Sequence, residues 1–402
     1  MTTCRAFHIV RSPSWSILDK SKRNRIVVAG GGIGGLTTAI ALRQSGADVD
    51  VYEKTAQLRE RGAAILLWPN ATRILRDLGI LDALVAQSDP VTHCEIRSWK
   101  GRPIKRWKVP ELSTPAIFIH RADLQSTLLE TIPRDRVHLG EGLEGFERNE
   151  SKVVVNLSSG RTAEGDALIG ADGLRSKTRE LLFGKSSPVY QGYTQWTGLL
   201  SSVHSLLKPG LKMEWWGNGV RFGIAANGKG RMNWYLSVNR ASPEAPDSID
   251  LGFLLEQVRR WQEPVEEILR STPKEAIIPI NIWAIPSFES WGAGSVTLLG
   301  DAAHPTSPNL GQGAGMAIED AACLAMCLKE SENVSASLRR YENLRKRRTA
   351  ATTKNSGFVG RMAQWSHPAL VAARTAFLRT FPLPLWERQL KRLYSYRVEE
   401  WP

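Results

Sequence analysis

The sequence predicts an α/β fold in which a parallel-sheet domain is interrupted by a β-sheet-rich domain and followed by C-terminal helices. Residues 25–53 have the pattern of a strand, a glycine-rich turn, a helix and a second strand. Residues 190–238 contain alternating aromatic segments divided by glycines, which is typical of an antiparallel sheet. Residues 295–328 return to an apolar strand followed by a helix. A chain of 402 residues is also too long for one compact core.

The glycine-rich turn follows a short β-branched strand at 25–29. Its glycine spacing, G-x-G-x-x-G, permits a tight turn, a close approach of the backbone to a pyrophosphate and close packing of the helix on the strand. The unpaired N–H groups and the dipole of the helix N-terminus favour negative charge at that point. The turn residues expected to hold a dinucleotide in this Rossmann-like domain are Gly30, Gly32, Ile33, Gly34 and Gly35.

An acidic residue ends the second strand. Glu53 is placed to accept hydrogen bonds from a ribose 2′-hydroxyl, and a carboxylate there disfavours a 2′-phosphate. The expected dinucleotide is therefore FAD or NAD rather than NADP. Lys54, the next residue, is assigned to the same cofactor site.

Hydrophobic periodicity predicts further elements along the chain. Helices are predicted at 69–84, 122–130 and 251–269. Short apolar strands at 153–157 and 167–170 are expected to return to the cofactor domain. The predicted division is a flexible extension at 1–23, a FAD-binding domain at 24–95, 120–180 and 290–345, a substrate domain at 96–119 and 181–289, and a C-terminal helical segment at 346–402.

The composition describes a globular protein, with 42% hydrophobic and 23% charged residues. No apolar run approaches the roughly 20 residues needed to span a bilayer, so a soluble or peripheral protein is expected. The net charge of +13 is spread along the chain, and its densest run, 339–348 (RRYENLRKRR), is interpreted as a solvated helix face. Since no nucleic-acid motif accompanies this run, a nucleic-acid partner is not expected.

Cysteine is sparse, with Cys4, Cys94, Cys323 and Cys327. The last two share a helix face, but no histidine or further cysteine stands nearby to complete a metal site. We expect buried thiols in a reducing compartment, and therefore a cytoplasmic protein without a metal. Residues 1–23, rich in Arg, Lys and Ser, are more typical of a loose extension than of a secretory signal, although a transit peptide has a similar composition.

Two further segments make the cofactor site more specific. Residues 166–179 (DALIGADGLRSKTR) form a strand that ends in Gly-Ala-Asp-Gly. Residues 295–320 (SVTLLGDAAHPTSPNLGQGAGMAIED) place Asp301 at a strand end, where it can accept hydrogen bonds from a polyol chain. A helix expected to begin near residue 313 would stabilise the anionic edge of a reduced flavin. The loop residues expected to approach the flavin ring are Gly311, Gly313 and Ala314.

Together these segments resemble the three fingerprints of single-component FAD-dependent aromatic hydroxylases, the para-hydroxybenzoate hydroxylase-like monooxygenases. They occur in the order and at the spacing of that family, and HRADL at 120–124 is similar to a fourth, weaker motif. The resemblance covers about residues 24–350 and implies a FAD that is bound without a covalent link. It further implies that Arg121 and Asp301 hold FAD and that Asp172 serves both FAD and the nicotinamide donor.

The resemblance implies a monooxygenase. In such enzymes NADH or NADPH reduces FAD, and O2 adds to give a C4a-hydroperoxyflavin in a pocket that excludes water. One oxygen atom then passes to an aromatic or other electron-rich substrate. Epoxidation of an alkene or polyene stays open, because the sequence contains no compelling base for a phenolic substrate. A FAD-binding oxidoreductase without oxygenase activity is a second open alternative.

The aromatic strands are expected to form a wall for a flat apolar ligand, with about half of their side chains facing the cleft. Thr197 stands where many members of the resembled family carry an arginine, and Arg221 is the nearest candidate to replace that charge. An outward-facing Arg221 fits the pattern equally well. His304 is expected to pack beside the flavin without acting as a base. The candidate substrate-pocket residues are Gln195, Trp215, Arg221, Tyr235 and Pro305, and no catalytic residue is assigned.

The C-terminal segment 356–396 holds scattered aromatic and basic residues. It is interpreted as a helical cover over the cleft or as a dimer contact, in preference to a membrane contact. The expected partners are thus a small aromatic or polyene substrate and, at most, a second copy of the chain.

Overall fold

The computed structural model describes residues 23–57, 64–149, 152–185, 187–243, 249–285 and 288–398. Nearly all of the extension predicted at 1–23, with Cys4, lies outside these residues. The first elements are β1 (Arg25–Ala29), α1 (Ile33–Gln44), β2 (Asp48–Glu53), β3 (Ala64–Leu67), α2 (Pro69–Asp77), α3 (Leu81–Val85), β4 (Asp89–Pro90), β5 (His93–Ser98), β6 (Pro103–Lys108), β7 (Ile117–His120) and α4 (Arg121–Glu130).

The middle of the chain contributes mainly strands, and its end mainly helices. The middle elements are β8 (Val137–Leu139), β9 (Leu143–Arg148), β10 (Val153–Leu157), β11 (Thr162–Gly165), β12 (Ala167–Gly170), α5 (Lys177–Phe183), β13 (Val189–Leu200), β14 (Leu211–Trp216), β15 (Val220–Ala226) and β16 (Met232–Asn239). The last elements are α6 (Leu251–Gln257), α7 (Val265–Arg270), β17 (Ile278–Ala284), β18 (Gly292–Ala293), β19 (Val296–Leu298), α8 (Gly313–Lys329), α9 (Val334–Ala363), α10 (Pro368–Thr380) and α11 (Leu383–Tyr394).

A six-stranded sheet with the order β18-β19-β12-β1-β2-β8 forms the centre of the cofactor half. β1 pairs in parallel with β12 and β2. β1 is almost wholly buried because both faces of the sheet are covered. α1 and α8 pack on one face, and the three-stranded sheet β11-β10-β9 packs on the other. The strand predicted at 167–170 therefore lies in the parallel sheet, and the one at 153–157 lies in the sheet that covers it.

A seven-stranded sheet with the order β17-β13-β16-β15-β14-β5-β6 forms the second half. Its strands are antiparallel except for the parallel pair of β14 and β5. One face is an apolar core in which Trp196, Trp234 and Phe222 pack against Leu254 of α6 and Ile268 of α7. We name the opposite face the cleft face, because it is turned toward the cofactor half.

A small sheet, β3-β7-β4, joins the two halves. The backbone N–H of Ala64 in β3 donates to Asn233 Oδ1 of β16 at 3.0 Å. Leu66 and Phe118 of the small sheet pack in one cluster with Ala225 of the cleft face. These contacts hold the cleft face at a defined position against the cofactor half.

Two predicted helices are broken in the structure. The helix predicted at 69–84 divides into α2 and α3, because Gly79 adopts φ +77°, which is outside the helical region. The helix predicted at 251–269 divides into α6 and α7, where Arg260 adopts φ +67° and Pro264 lacks a backbone N–H. The predicted continuity was wrong in both places, although the helical character on each side was right.

The C-terminal helices cover one edge of the cleft face. Leu390 and Tyr394 of α11 pack with Trp68 and Cys94, and Trp386 lies edge-on to Trp107 with ring centroids 5.3 Å apart. The domain boundary predicted at 345/346 falls inside α9, which is one continuous helix of 30 residues. None of the helices in the described part of the chain is both long and apolar enough to cross a membrane.

Candidate active site

The glycine turn between β1 and α1 leaves a space in front of the helix N-terminus. Gly30 adopts φ +113°, and its N–H donates to the Tyr52 carbonyl at 2.8 Å, which closes the turn. A Cβ atom on Gly35 would lie 1.9 Å from the Gly30 carbonyl oxygen, so only glycine permits this packing of helix on strand. A Cβ atom on Gly32 would meet no protein atom within 4 Å. The turn therefore fits a pyrophosphate, which would occupy the space that Gly32 leaves open.

Glu53 braces the same turn. Its Oε2 accepts a hydrogen bond from Gly31 N at 2.7 Å, and its Oε1 accepts one from Thr55 N at 2.9 Å. Lys54 is exposed beside it. Gln125 of α4, which the sequence motifs did not indicate, donates from Nε2 to the Gly31 carbonyl at 2.8 Å. Its position in α4, directly after the HRADL motif, is the only signal that could have suggested it.

Asp301 has the features of a group on the wall of a cleft. It lies in a 3₁₀ turn directly after β19, is exposed, and makes no hydrogen bond to any residue that the structure describes. The surrounding protein partly desolvates the carboxylate and raises its pKa, while His304 and Arg121 act in the opposite direction. A carboxylate that is exposed yet partly desolvated is suited to accept hydrogen bonds from the hydroxyl groups of a ligand.

We expect Asp301→Ala to weaken FAD binding by about ten- to a hundred-fold, because a hydrogen bond to a charged group contributes about 1.5–3 kcal/mol. Titration of apoprotein with FAD measures the change. Asp135→Ala, at an exposed aspartate of the 3₁₀ turn before β8, is the control and should bind FAD normally. Unchanged affinity in the Asp301 variant would show that this carboxylate does not contact FAD.

Asp172 organises the loop that leads into α5. Its Oδ1 lies 2.5 Å from Ser176 Oγ, and its Oδ2 accepts hydrogen bonds from Thr178 N at 2.8 Å and Thr178 Oγ1 at 3.0 Å. Arg179 in the same motif is buried and donates to the carbonyl of Ala302 at 2.8 Å. The motifs at 166–179 and 295–320 are therefore linked directly. The hydrogen bonds within the loop leave Asp172 little acceptor capacity for a ligand.

The loop after Asp301 places its glycines as the sequence predicts. Gly311 adopts φ +60°, and Trp68 Nε1 donates to the adjacent Leu310 carbonyl at 3.1 Å. α8 begins at Gly313, as expected, with Ala314 in its first turn. The N–H groups of this turn have no partner within the helix and so form a site for negative charge. Pro305 is buried in the same loop.

A buried ionic network lies under this loop. His304 Nε2 is 2.5 Å from Asp320 Oδ2, and Arg345 donates to Asp320 Oδ1 at 2.7 Å and to Glu319 Oε2 at 2.6 Å. Burial by itself would raise the pKa values of both carboxyls, but the adjacent cations outweigh it and lower them. Arg345 belongs to the run 339–348, so the interpretation of that run as a solvated face was wrong for its inward side.

The candidate pocket residues divide between the two faces of the seven-stranded sheet. Cross-strand partners share a face. Gln195 pairs with Ser237, and Ser237 pairs with Arg221, so these side chains lie on the cleft face. Tyr235 is two residues from Ser237 and lies on the same face. Trp215, by contrast, is fully buried in the apolar core on the other face, so its assignment to the pocket was wrong.

Arg221 is a buried cation with neutral partners. It is 4% exposed, donates from Nε to Gln364 Oε1 at 2.8 Å and donates from Nη2 to Asn309 Oδ1 at 2.8 Å. The outward-facing alternative was therefore wrong. Thr197 does not supply the contact that an arginine would make, because its hydroxyl donates to the Trp234 carbonyl at 2.8 Å.

A groove of about 510 Å³ opens beside Arg221, between the sheet, the loop before α8 and the end of α9. This volume lies in the range of small-molecule sites. The polar and basic side chains in its lining include Tyr193, Asn239, Arg240, Asn309, Arg361 and Gln364.

The cysteines do not form a ligand set. Cys94, Cys323 and Cys327 are buried thiols. A hydrogen bond with Cys327, together with burial, raises the pKa of the Cys323 thiol. Within the described ranges, no group of His, Cys, Asp and Glu side chains could hold a metal ion.

The Rossmann-type glycine turn, the exposed Asp301 carboxylate and the helix N-terminus at Gly313 together fit a flavin dinucleotide. The model of the family described as "FAD binding domain" matches residues 23–356, and the chain belongs to this family. It is an FAD-dependent monooxygenase and has the fold of the para-hydroxybenzoate hydroxylase-like enzymes.

Three known proteins show how similar the chain is to other members. It is 35% identical to the aurachin C monooxygenase/isomerase of Stigmatella aurantiaca over 88% of this chain and 93% of that protein. It is 34% identical to the chloroplastic zeaxanthin epoxidase of Spinacia oleracea over 81% of this chain but only 52% of the epoxidase. The structure of Klebsiella pneumoniae HpxO complexed with FAD and uric acid superposes with a TM-score of 0.86 at 28% identity, covering 94% of this chain and 97% of HpxO.

Proposed function

We propose that the protein hydroxylates a planar, electron-rich aromatic or heteroaromatic ring, consuming NADH or NADPH and O2. One observation carries the proposal: Arg221 is a buried cation that bonds no carboxylate among the described residues, and it lies on the cleft face within reach of the loop before α8. Such a cation can hold a phenolate or enolate oxygen, and this increases the electron density at the ring carbon that is attacked. The uric acid in the HpxO complex is a planar heteroaromatic ligand of the same general kind.

We propose cofactor contacts in the glycine turn, at the strand ends and at the start of α8. Gly30, Gly32 and Gly35 would hold the pyrophosphate, while Glu53 would accept from the ribose. When bound, FAD supplies the activation of O2, which no amino-acid side chain can provide. The free N–H groups at the start of α8 would hold the negative charge of the reduced ring.

The remaining contacts are assigned by position. Asp301 would hold the ribityl chain, and Arg121, exposed at the start of α4 and close enough to oppose the rise in the Asp301 pKa, would contact the phosphates. Asp172 would contribute through the order of its loop, since most of its acceptor capacity is used within the protein. α9 and α11 would limit the access of water to the cleft. We also propose the domain division made from the sequence, with its last boundary moved to the end of α9.

The reaction is tested with purified protein and isotopically labelled O2. Acid precipitation should release FAD, and NADH or NADPH oxidation should be stimulated by phenols or hydroxylated heteroaromatic rings, with one labelled oxygen atom in the product. An epoxide from a polyene, with no reaction of aromatic compounds, would instead favour the chemistry in the name of the zeaxanthin epoxidase. Bound FAD with no oxygenated product from either class would contradict the proposal.

We expect Arg221→Gln to raise the substrate KM by about ten-fold and to increase the fraction of NAD(P)H that ends as hydrogen peroxide, because a charge-assisted hydrogen bond is lost. FAD content should not change. Arg221→Lys keeps the charge and should retain more coupling than the glutamine variant. Arg259→Gln, at an exposed arginine after α6, is the matched control. Normal KM and normal coupling in Arg221→Gln would remove Arg221 from the substrate site.

A further inference from the structure

Three polar side chains form a row across the cleft face. Tyr235 of β16 lies opposite Gly223 of β15, and Gly223 lies opposite Glu214 of β14. Lys212 is two residues before Glu214 and therefore shares its face. We name Lys212, Glu214 and Tyr235 the polar row.

Gly223 lets the members of the row touch. A Cβ atom on Gly223 would lie 2.4 Å from Tyr235 Cε1 and 2.8 Å from its hydroxyl oxygen, so the tyrosine ring lies flat across β15. Its hydroxyl thereby lies close enough to the Glu214 carboxylate for the two groups to interact electrostatically. Lys212 forms an ion pair with Glu214 Oε1, and Trp216 Nε1 donates to Glu214 Oε2 at 2.8 Å.

The charge states within the row are well defined at neutral pH. Burial would raise the pKa of the Glu214 carboxyl, but Lys212 and Arg221 outweigh this effect and hold it at about 2. The pKa of Lys212 is raised, because the carboxylate outweighs burial. Burial and Glu214 together raise the pKa of Tyr235, so its hydroxyl stays protonated. The row consequently presents a neutralised ion pair and a neutral hydroxyl.

The row keeps unused hydrogen-bonding capacity. The side chains of Lys212 and Glu214 are 18% and 17% exposed, whereas the tryptophans on the opposite face are fully buried. Glu214 is the only hydrogen-bond partner of Lys212 Nζ in the described chain, which leaves N–H donors free. The Tyr235 hydroxyl oxygen keeps its lone pairs as acceptors. An ion pair buried on an inner face contributes little to stability compared with apolar packing, so stability alone does not account for it.

We propose that the polar row recognises a donor–acceptor edge on the substrate, in which a ring N–H or O–H donates to Tyr235 and an adjacent carbonyl accepts from Lys212. The ligand class is a planar lactam or an equivalent hydroxy-carbonyl ring that is neutral at this edge. This proposal rests on the proposed function and adds a second contact region to it. Arg221 lies two residues from Gly223 on β15, which is about 7 Å along the strand. A fused two-ring compound could therefore contact Arg221 at one end and the polar row at the other.

The test measures equilibrium binding of two probes to the oxidised holoenzyme through the change in flavin absorbance, without NAD(P)H. Oxindole offers the N–H and carbonyl edge, and N-methyloxindole lacks the donor. We expect the unaltered protein to bind oxindole about ten-fold more tightly, because the methylated probe leaves a buried acceptor unpaired. Tyr235→Phe should bind the two probes with equal affinity. Lys212→Met should weaken both probes by a similar factor, because both keep the carbonyl.

The matched controls are Tyr190→Phe and Lys208→Met, which lie outside the row and should keep the discrimination. If Tyr235→Phe still bound oxindole more tightly than N-methyloxindole, the preference would arise from the bulk of the methyl group, and the proposal would be overturned. Equal binding of the probes by the unaltered holoenzyme, or no binding of oxindole up to its solubility limit, would also overturn it. Failure of the proposed function is recognised separately, by bound FAD without any oxygenated product.

Discussion

Gly32→Val should abolish FAD binding while the protein stays folded. In the structure a Cβ atom at this position would meet no protein atom within 4 Å, so valine causes no clash inside the protein. Its side chain would fill the space in front of α1, where the pyrophosphate must approach the backbone. We expect a loss of more than about a hundred-fold in FAD affinity, since both the close approach and the N–H contacts at the helix N-terminus are lost. FAD titration of apoprotein measures the loss, and circular dichroism checks the fold.

Gly145→Val is the matched control. Gly145 lies in β9, where a Cβ atom would be at an ordinary contact distance of 3.5 Å from Asn156 Nδ2 and where a β-branched residue is favourable. Its FAD affinity should be unchanged. If Gly32→Val bound FAD normally, the pyrophosphate would have to lie elsewhere, and the cofactor site would be wrong.

Arg345→Met should lower the free energy of unfolding by about 3–5 kcal/mol, which is the usual effect of removing one member of a buried ion pair. Arg345 is fully buried and bonds both Glu319 and Asp320, so the substitution leaves two carboxylates without their main cation. Urea denaturation followed by tryptophan fluorescence measures the change. The expected loss is a large part of the total stability of a typical protein.

Arg347→Met, two residues along the same helix, separates the effect of the network from that of helix α9. Arg347 is exposed, and its replacement should change the unfolding free energy by less than about 0.5 kcal/mol. Similar losses of unfolding free energy in the two variants would show that the buried network contributes no more to stability than the exposed surface of the helix does.

The parts of the fold that depend on short motifs could be predicted from the sequence. Glycine spacing reveals the local backbone requirements that fix the turn at Gly30 and the start of α8 at Gly313, and a short apolar run reveals the strand at 167–170. The same holds for the position of Asp301, which directly follows a strand. FAD as the cofactor and the monooxygenase class, both expected from these motifs, were confirmed.

Contacts between distant segments could not be predicted in the same way. Trp215 and Trp216 are adjacent in sequence and lie on opposite faces, and a shift of one residue in the register of β14 would exchange them. Arg345 reads as a surface charge until α9 is placed against the acidic residues of α8. Gln125 contacts the glycine turn from a segment 94 residues away along the chain. The assigned roles of the individual site residues remain predictions.

The strict alternation along β15 has a consequence for how this enzyme could acquire a new substrate. A deletion of one residue in the hairpin before β15 would move Arg221 into the tryptophan core and turn Phe222 toward the cleft. Insertions and deletions in these strands should therefore be eliminated during evolution, whereas substitutions at every second position should be tolerated. A mutant library intended to change specificity should accordingly keep the strand lengths and vary the residues at positions 195, 212, 214 and 235.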